Sequence, residues 1–203
     1  MKVFTARELS NLDKNFRRNF VNQLPGHKPA NLIGTINADG KTNLAIFASV
    51  HHLGANPPLM GFNMRPVSVE RHTFENIIQE ECFTINHVTT EIYEQAHQTA
   101  ARYPRKQSEF EATGLHEFYG HAIEAPFVAE SPVKIGLKLK EVHDISANNT
   151  KLIIGEVVEI ILNENILDEK GNLDFHHLNL VTVTGLDTYH SSKYLKRLPY
   201  AKP

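Results

Sequence analysis

Arg65, Arg71, His72 and Thr73 stand in the run MRPVSVERHTFENI, just ahead of an apolar stripe at helical spacing, Phe74, Ile77 and Ile78. A helix N-terminus presents unpaired backbone N–H groups and partial positive charge. Two guanidinium groups and a hydroxyl placed before it make a cradle suited to a phosphate. A solvated loop with an ordinary cap would use the same residues. A second group lies upstream in TNLAIFASVHHLGANPPLMGFNMRP, residues 42–66. The small side chains of Ala45, Ala48 and Ser49 leave room for a flat ligand to approach the backbone. Strand-end N–H and C=O groups can then serve the polar edge of a planar heterocycle. The strand LMGFNM leads from this hairpin to the basic cluster, so one ligand, flat at one end and phosphorylated at the other, fits both.

The chain has 12 histidines, which raises the question of a metal. His51 and His52 are adjacent on a strand pattern, so their side chains point to opposite faces. His176 and His177 meet the same objection, and no carboxylate sits at a ligand-like spacing beside either pair; no metal site is expected. The single cysteine, Cys82, cannot form an internal disulfide, reads as a buried free thiol and suggests a reducing compartment. A formal net charge of -2 gives no electrostatic reason to expect nucleic acid or an anionic membrane as partner. The first twenty residues are charged throughout and lack a secretory core, and no apolar run is long enough to cross a bilayer. The expectation is a cytoplasmic chain. Fingerprints for a Rossmann dinucleotide site, a P-loop, a zincin helix and a nucleophile elbow are all missing.

The elements that must position these residues are mostly strands. NLIGTINADGKTNLAIFAS reads as a hairpin turning at Asp39-Gly40. Pro57 and Pro58 cannot donate to a ladder and belong where LMGFNM begins. Thr73 is the expected cap of a helix in RHTFENIIQEE, and CFTINHV returns to strand. TTEIYEQAHQTAARYP predicts a second helix, capped by Thr89 or Thr90 and running to Pro104. Residues 105–130 read as an excursion outside the core. VKIGLKLKEVHDI alternates Val133, Ile135, Leu137 and Leu139 inward against Lys134, Lys138 and Lys140 outward. KLIIGEVVEIILNENIL and NLVTVTGLDTY complete the strands. At 203 residues the chain suits one domain, with residues 1–25 as an N-terminal extension in which a short helix is expected and 190–203 as a tail. A barrel or sandwich follows, rather than β-α-β units.

NLIGTINADGKTNLAIFASVHHLGANPPLMGFNM followed by RHTFENIIQEECFTINHV resembles the flavin reductase-like, FMN-binding split-barrel family. Its usual pattern is a strand, a D-G turn, N-x-A-x-F-S, a Pro-Pro corner, T-x-x-N-I and F-x-x-N. The resemblance continues through SEFEATGLHE, ESPVKIGLKLKEV, LIIGEVVEI and GLDTYHSSKYLKRLPYAKP, covering roughly residues 28–200. It implies a mostly β, six-stranded antiparallel Greek-key split barrel with a few peripheral helices. It also implies a homodimer that holds FMN near the subunit interface. NADH or NADPH would be the hydride donor, and free flavin or another small molecule the acceptor. The alternative is a non-enzymatic FMN carrier reduced by a partner protein. By the match of motifs, Phe47, Ala48, Ser49, Val50, His51 and His52 would line the isoalloxazine and ribityl, largely with backbone. Asn43 would lie at the ring's polar edge, and Arg65, Arg71, Thr73 and Asn76 around the phosphate. Tyr189 would contribute from the C-terminal part, and His51 or His52 would contact flavin or nicotinamide. Gly136 and Leu137 stand where many relatives carry an acidic residue and a cysteine. Flavin would do the redox work, which leaves the protein to bind, orient and tune it.

Overall fold

The computed structural model describes residues 1–202. Two N-terminal helices, α1 (Ala6–Asn11) and α2 (Lys14–Gln23), come first. Thr5 and Glu8 form a capping box on α1, and the Asp13 carboxylate accepts the Asn15 and Phe16 N–H groups at the start of α2. The strands then follow as β1 (Lys28–Pro29), β2 (Asn31–Ile36), β3 (Thr42–Phe47), β4 (His51–Ala55) and β5 (Pro58–Met64). Helix α3 (His72–Glu80) precedes β6 (Cys82–His87), and α4 (Tyr93–Gln98) and α5 (Glu109–Thr113) precede the short pair β7 (Glu117–Phe118) and β8 (Phe127–Val128). The long hairpin β9 (Val133–Ile145) and β10 (Thr150–Leu162) leads to the terminal pair β11 (Val181–Thr184) and β12 (Thr188–Ser191).

Seven strands form the main sheet in the order β3-β2-β6-β9-β10-β5-β4, all neighbours antiparallel. This is the split-barrel arrangement, with one strand more than the six expected. The extra count has a simple origin: the Pro57-Pro58 corner separates β4 and β5 into two paired strands of one hairpin. The C-terminal strands do not join this sheet. β11 and β12 pair with β1 in a separate three-stranded sheet.

The period-2 alternation of β2 explains two cores. Ile33 joins Phe62, Phe83, Ile85, Leu137 and Ile153 in one buried cluster, while its neighbour Leu32 joins Leu44, Val88, Phe110 and Val183 in another. Fully burying each such side chain contributes about 1.5–3 kcal/mol. Segment 105–130 is part of the second cluster through Phe110, Leu115 and Val128, contrary to its reading as an excursion. Its polar composition hides these apolar positions, which are isolated in sequence and meet only across the fold. Gly34 shows how closely it packs: a Cβ there would lie 2.2 Å from the Pro126 carbonyl oxygen and 2.6 Å from Thr84 Oγ1.

Three local expectations change. Helix α3 starts at His72 with Arg71 as its N-cap residue, and no side chain caps it. Thr73 is buried and turned inward instead. The second helix is only α4, beginning after Ile92 and ending at Gln98; Thr89 lies in an isolated bridge to Leu180. His176 and His177 fall in a 3-10 turn, Phe175–His177, and not on a strand. The Asp39-Gly40 turn appears where expected, with Gly40 at φ 75°, a conformation that favours glycine.

Candidate functional site

β3 and β4 are the two edges of the main sheet, and they are consecutive in the chain. Residues 48–50 therefore carry the chain across the split. Ser49 holds this crossing in place: its Oγ accepts the Asn63 N–H at 3.1 Å and donates to the Asn63 carbonyl at 3.3 Å. The β4–β5 register places His51 opposite Gly61, so Ser49 falls opposite Asn63, and its hydroxyl stands in for the next backbone rung.

Side-chain directions in this segment differ from residue to residue. Phe47 packs into the barrel, its ring 4.9 Å from that of Phe62, and Val50 is buried in the same cluster. Both therefore offer backbone, not side chain, to the outer surface. Ala48 lies against the second cluster together with Ile46 and Tyr189. His51 and His52 are exposed. The His51 Nδ1 lies 2.9 Å from the Ser49 carbonyl oxygen. A carbonyl only accepts, so Nδ1 carries the proton and a neutral ring presents Nε2 as an acceptor. Tyr189 sits 5.6 Å ring to ring from Tyr93, with its hydroxyl 3.0 Å from His97 Nδ1. Burial and the charge of Asp187 push its phenol up to about 12, so it stays protonated.

Two residues beyond Asn63, Arg65 begins a basic cluster. Arg71 donates from Nε to the Pro66 carbonyl at 3.2 Å, and its N–H donates to the Glu75 carboxylate at 2.9 Å. Burial lowers the Arg71 guanidinium from its ordinary value, and the charges of Arg65 and Arg102 lower it further. Among the described residues, none of these three guanidinium groups is in an ion pair, whereas the nearby Arg105 is paired with Glu75. Three like charges gathered without a counter-ion cost free energy until an anion joins them. Arg102 was not legible as a site residue. It follows α4 in a polar run, and only the fold carries it to Arg71.

Asn43, Thr73 and Asn76 come together, but around Thr35 and not on the open surface. Thr35 Oγ1 accepts from Asn43 Nδ2 at 3.2 Å and from Asn76 Nδ2 at 3.1 Å. Asn43 Nδ2 also donates to Thr73 Oγ1 at 3.0 Å. All four side chains are buried, and the network ties the first turn of α3 to β2 and β3. These residues thus fix where Arg71 and the helix start stand. Thr35 was missed; its signal is a hydroxyl at the inward position two residues after Ile33.

Residues 27–184 match the flavin reductase like domain family. The chain belongs to this family. A Shewanella frigidimarina protein, provisionally named a flavin reductase with split barrel domain, is 48% identical to this flavin reductase-like chain. That match covers 99% of this chain and 100% of its own, with a TM-score of 0.94. The 2-nitrobenzoate 2-nitroreductase NbaA of Pseudomonas fluorescens shares the fold at 22% identity and TM-score 0.84, covering 100% and 98% of the two chains. The FMN-binding protein of Thermus thermophilus shares it at 20% identity and TM-score 0.76, covering 98% and 100%. Among the described residues no helix is long and apolar enough to cross a membrane, and no group of three or more His, Cys, Asp or Glu side chains is placed to hold a metal.

The residues of this flavin reductase-like chain fit a flavin mononucleotide. The unpaired arginines match a phosphate dianion. The crossing at residues 48–50 is half-buried and lies next to the exposed His51 and His52, where a flat heterocycle can lie against the backbone. Arg65 is two residues from Asn63, which Ser49 grips, so the two halves of the site adjoin.

Proposed function

We propose that this chain binds FMN as a homodimer and passes electrons from NADH or NADPH to free flavin or another small acceptor. The unpaired cluster of Arg65, Arg71 and Arg102 beside the Ser49 crossing carries the reading. Bound FMN would supply hydride acceptance and electron release. The protein's part is to seat it: Arg65, Arg71 and Arg102 hold the phosphate, and the backbone of residues 47–52 meets the ring's polar edge. His51 Nε2 and the His52 ring border the open face, where a nicotinamide can stack without a motif of its own. Asn43, Thr73 and Asn76 act by positioning the helix start.

A homodimer is supported by the exposed apolar side chains of β10, Val158 at 38% and Ile160 at 58% of full exposure, on a half-strand with a partner on one side only. The deciding experiment is the absorption spectrum of the purified protein before and after anaerobic addition of NADH or NADPH. Flavin bands that bleach rapidly are expected. A colourless protein that takes up no added FMN defeats the reading. Light scattering at micromolar concentration tests the dimer, and a monomer contradicts it.

A further inference from the structure

The terminal sheet carries two histidines that the flavin site does not use. β11 lies in its middle, between β1 and β12. Val181 and Val183 of β11 are buried in the second apolar cluster, so Thr182 and Thr184 face the other way. His190, the registered partner of Thr182, shares that outer face. Lys28 pairs with Val183 and Pro29 with Thr182, so His27, the residue before them, stands opposite Thr184 on the same face. His27 is exposed and His190 half-buried. Among the described residues, neither is in an ion pair.

Each ring reaches diagonally over β11 to the threonine opposite the other. His27 Nδ1 lies 2.9 Å from Thr182 Oγ1, and His190 Nε2 lies 3.0 Å from Thr184 Oγ1. The rings meet with their centroids 4.5 Å apart and their planes inclined by 62°. One nitrogen of each ring is thus engaged by a hydroxyl. When it donates there, the other nitrogen, His27 Nε2 or His190 Nδ1, presents a lone pair. Proteins orient metal-ligating histidines in this way, through a hydrogen bond from the second ring nitrogen.

The ring separation carries information on geometry. With metal–N bonds of about 2.0–2.1 Å and a centroid about 1.15 Å beyond each nitrogen, each ring centre lies about 3.2 Å from the metal. Two such rings at a right angle have centroids about 4.5 Å apart, and at the tetrahedral angle about 5.2 Å. The observed 4.5 Å is the right-angle value. Adjacent positions of a tetragonal ion have that angle, and copper(II) and nickel(II) prefer such a geometry.

We propose that His27 and His190 chelate a divalent transition ion of tetragonal preference, copper(II) or nickel(II), and so staple the segment entering β1 to β12. Among the described residues no group of three His, Cys, Asp or Glu side chains is placed to hold a metal, so water completes the coordination. The nearest cation in sequence, Lys28, pairs with Val183 and so belongs to the opposite face. Its ammonium donates to the Gly185 carbonyl at 3.0 Å. The site is independent of the flavin reading.

Protein stripped with a chelator is titrated with copper(II) chloride and followed by calorimetry and electron paramagnetic resonance. The native chain should show one site tighter than its remaining histidines, with an axial spectrum coupled to nitrogens of two imidazoles. In His27→Gln and in His190→Gln, the dissociation constant of that site should rise about tenfold or more. Glutamine keeps a polar group beside each threonine, and neither position is in the core. Copper(II) should raise the melting temperature of the native chain more than that of either variant. An affinity unchanged in either variant overturns the chelate, because that histidine is then not a ligand. A native spectrum coupled to a single imidazole overturns it without recourse to any variant. FMN uptake, in contrast, bears on the flavin reading alone.

Discussion

Arg71→Ala separates the two roles the basic cluster can have. In the apoprotein, Arg71 is repelled by Arg65 and Arg102 and stabilised by one bond to the Pro66 carbonyl. Alanine removes the repulsion and also that bond, whose net worth is about 0.5–1.5 kcal/mol. The two changes oppose each other, so apoprotein stability should move by less than about 1 kcal/mol. FMN binding has no such compensation. A charge-assisted bond to the phosphate contributes about 1.5–3 kcal/mol, so the dissociation constant should rise roughly 10- to 150-fold. Quenching of flavin fluorescence on titration with apoprotein measures it directly. Raising salt from about 50 to about 500 mM should weaken binding to the native chain more than to the variant, because the lost contact is the screened one. Equal affinity in both proteins refutes the placement of the phosphate. A loss of affinity with undiminished salt dependence would refute the electrostatic account of it.

Thr35→Val leaves the Asn43 and Asn76 amides short of their shared acceptor and should cost about 2–6 kcal/mol in urea denaturation, for two buried N–H donors at about 1–3 kcal/mol each. Gly34→Ala forces a Cβ against the Pro126 carbonyl, which a backbone atom cannot evade, and should lower stability by about 3 kcal/mol or more in thermal unfolding. His87 has a folded pKa of about 4, below its ordinary 6.5, so the unfolded chain binds the extra proton. Stability from this group is complete above about pH 6.5 and falls as pH drops towards 4, by up to about 3 kcal/mol. His87→Leu should flatten the curve of stability against pH in that window, and a curve that keeps its slope there contradicts the burial of a neutral ring.

Much of the barrel is written in local patterns. The Asp39-Gly40 turn, the alternation of Val133, Ile135 and Leu137, and the Pro57-Pro58 corner each fix an element from within a few residues. Thr73 shows the limit. As a cap residue it reads correctly by type, yet the hydroxyl is needed by Asn43, a partner thirty residues away that no local rule reveals. Phe110, Leu115 and Val128 escaped notice because their sequence neighbours are polar, and burial there is decided by the strands they cover. For the proposed phosphate and ring contacts, the family pattern led to residues 47–52, Arg65 and Arg71. Arg102 joins them only through the return of the chain after α4.

The crossing at residues 48–50 ties ligand occupancy to the motions of the barrel. The two edge strands of the sheet are joined by one short stretch of chain, held by the Ser49 hydroxyl and by the packing of Phe47 and Val50. On the flavin reading proposed above, opening this seam and exposing the flavin surface are the same event. Any ligand that spans Ser49 and the arginines closes the seam by its own binding energy. Amide hydrogen exchange in β4 and the end of β3 should therefore slow on FMN addition by a factor that tracks FMN concentration, while exchange in β9 stays as it was.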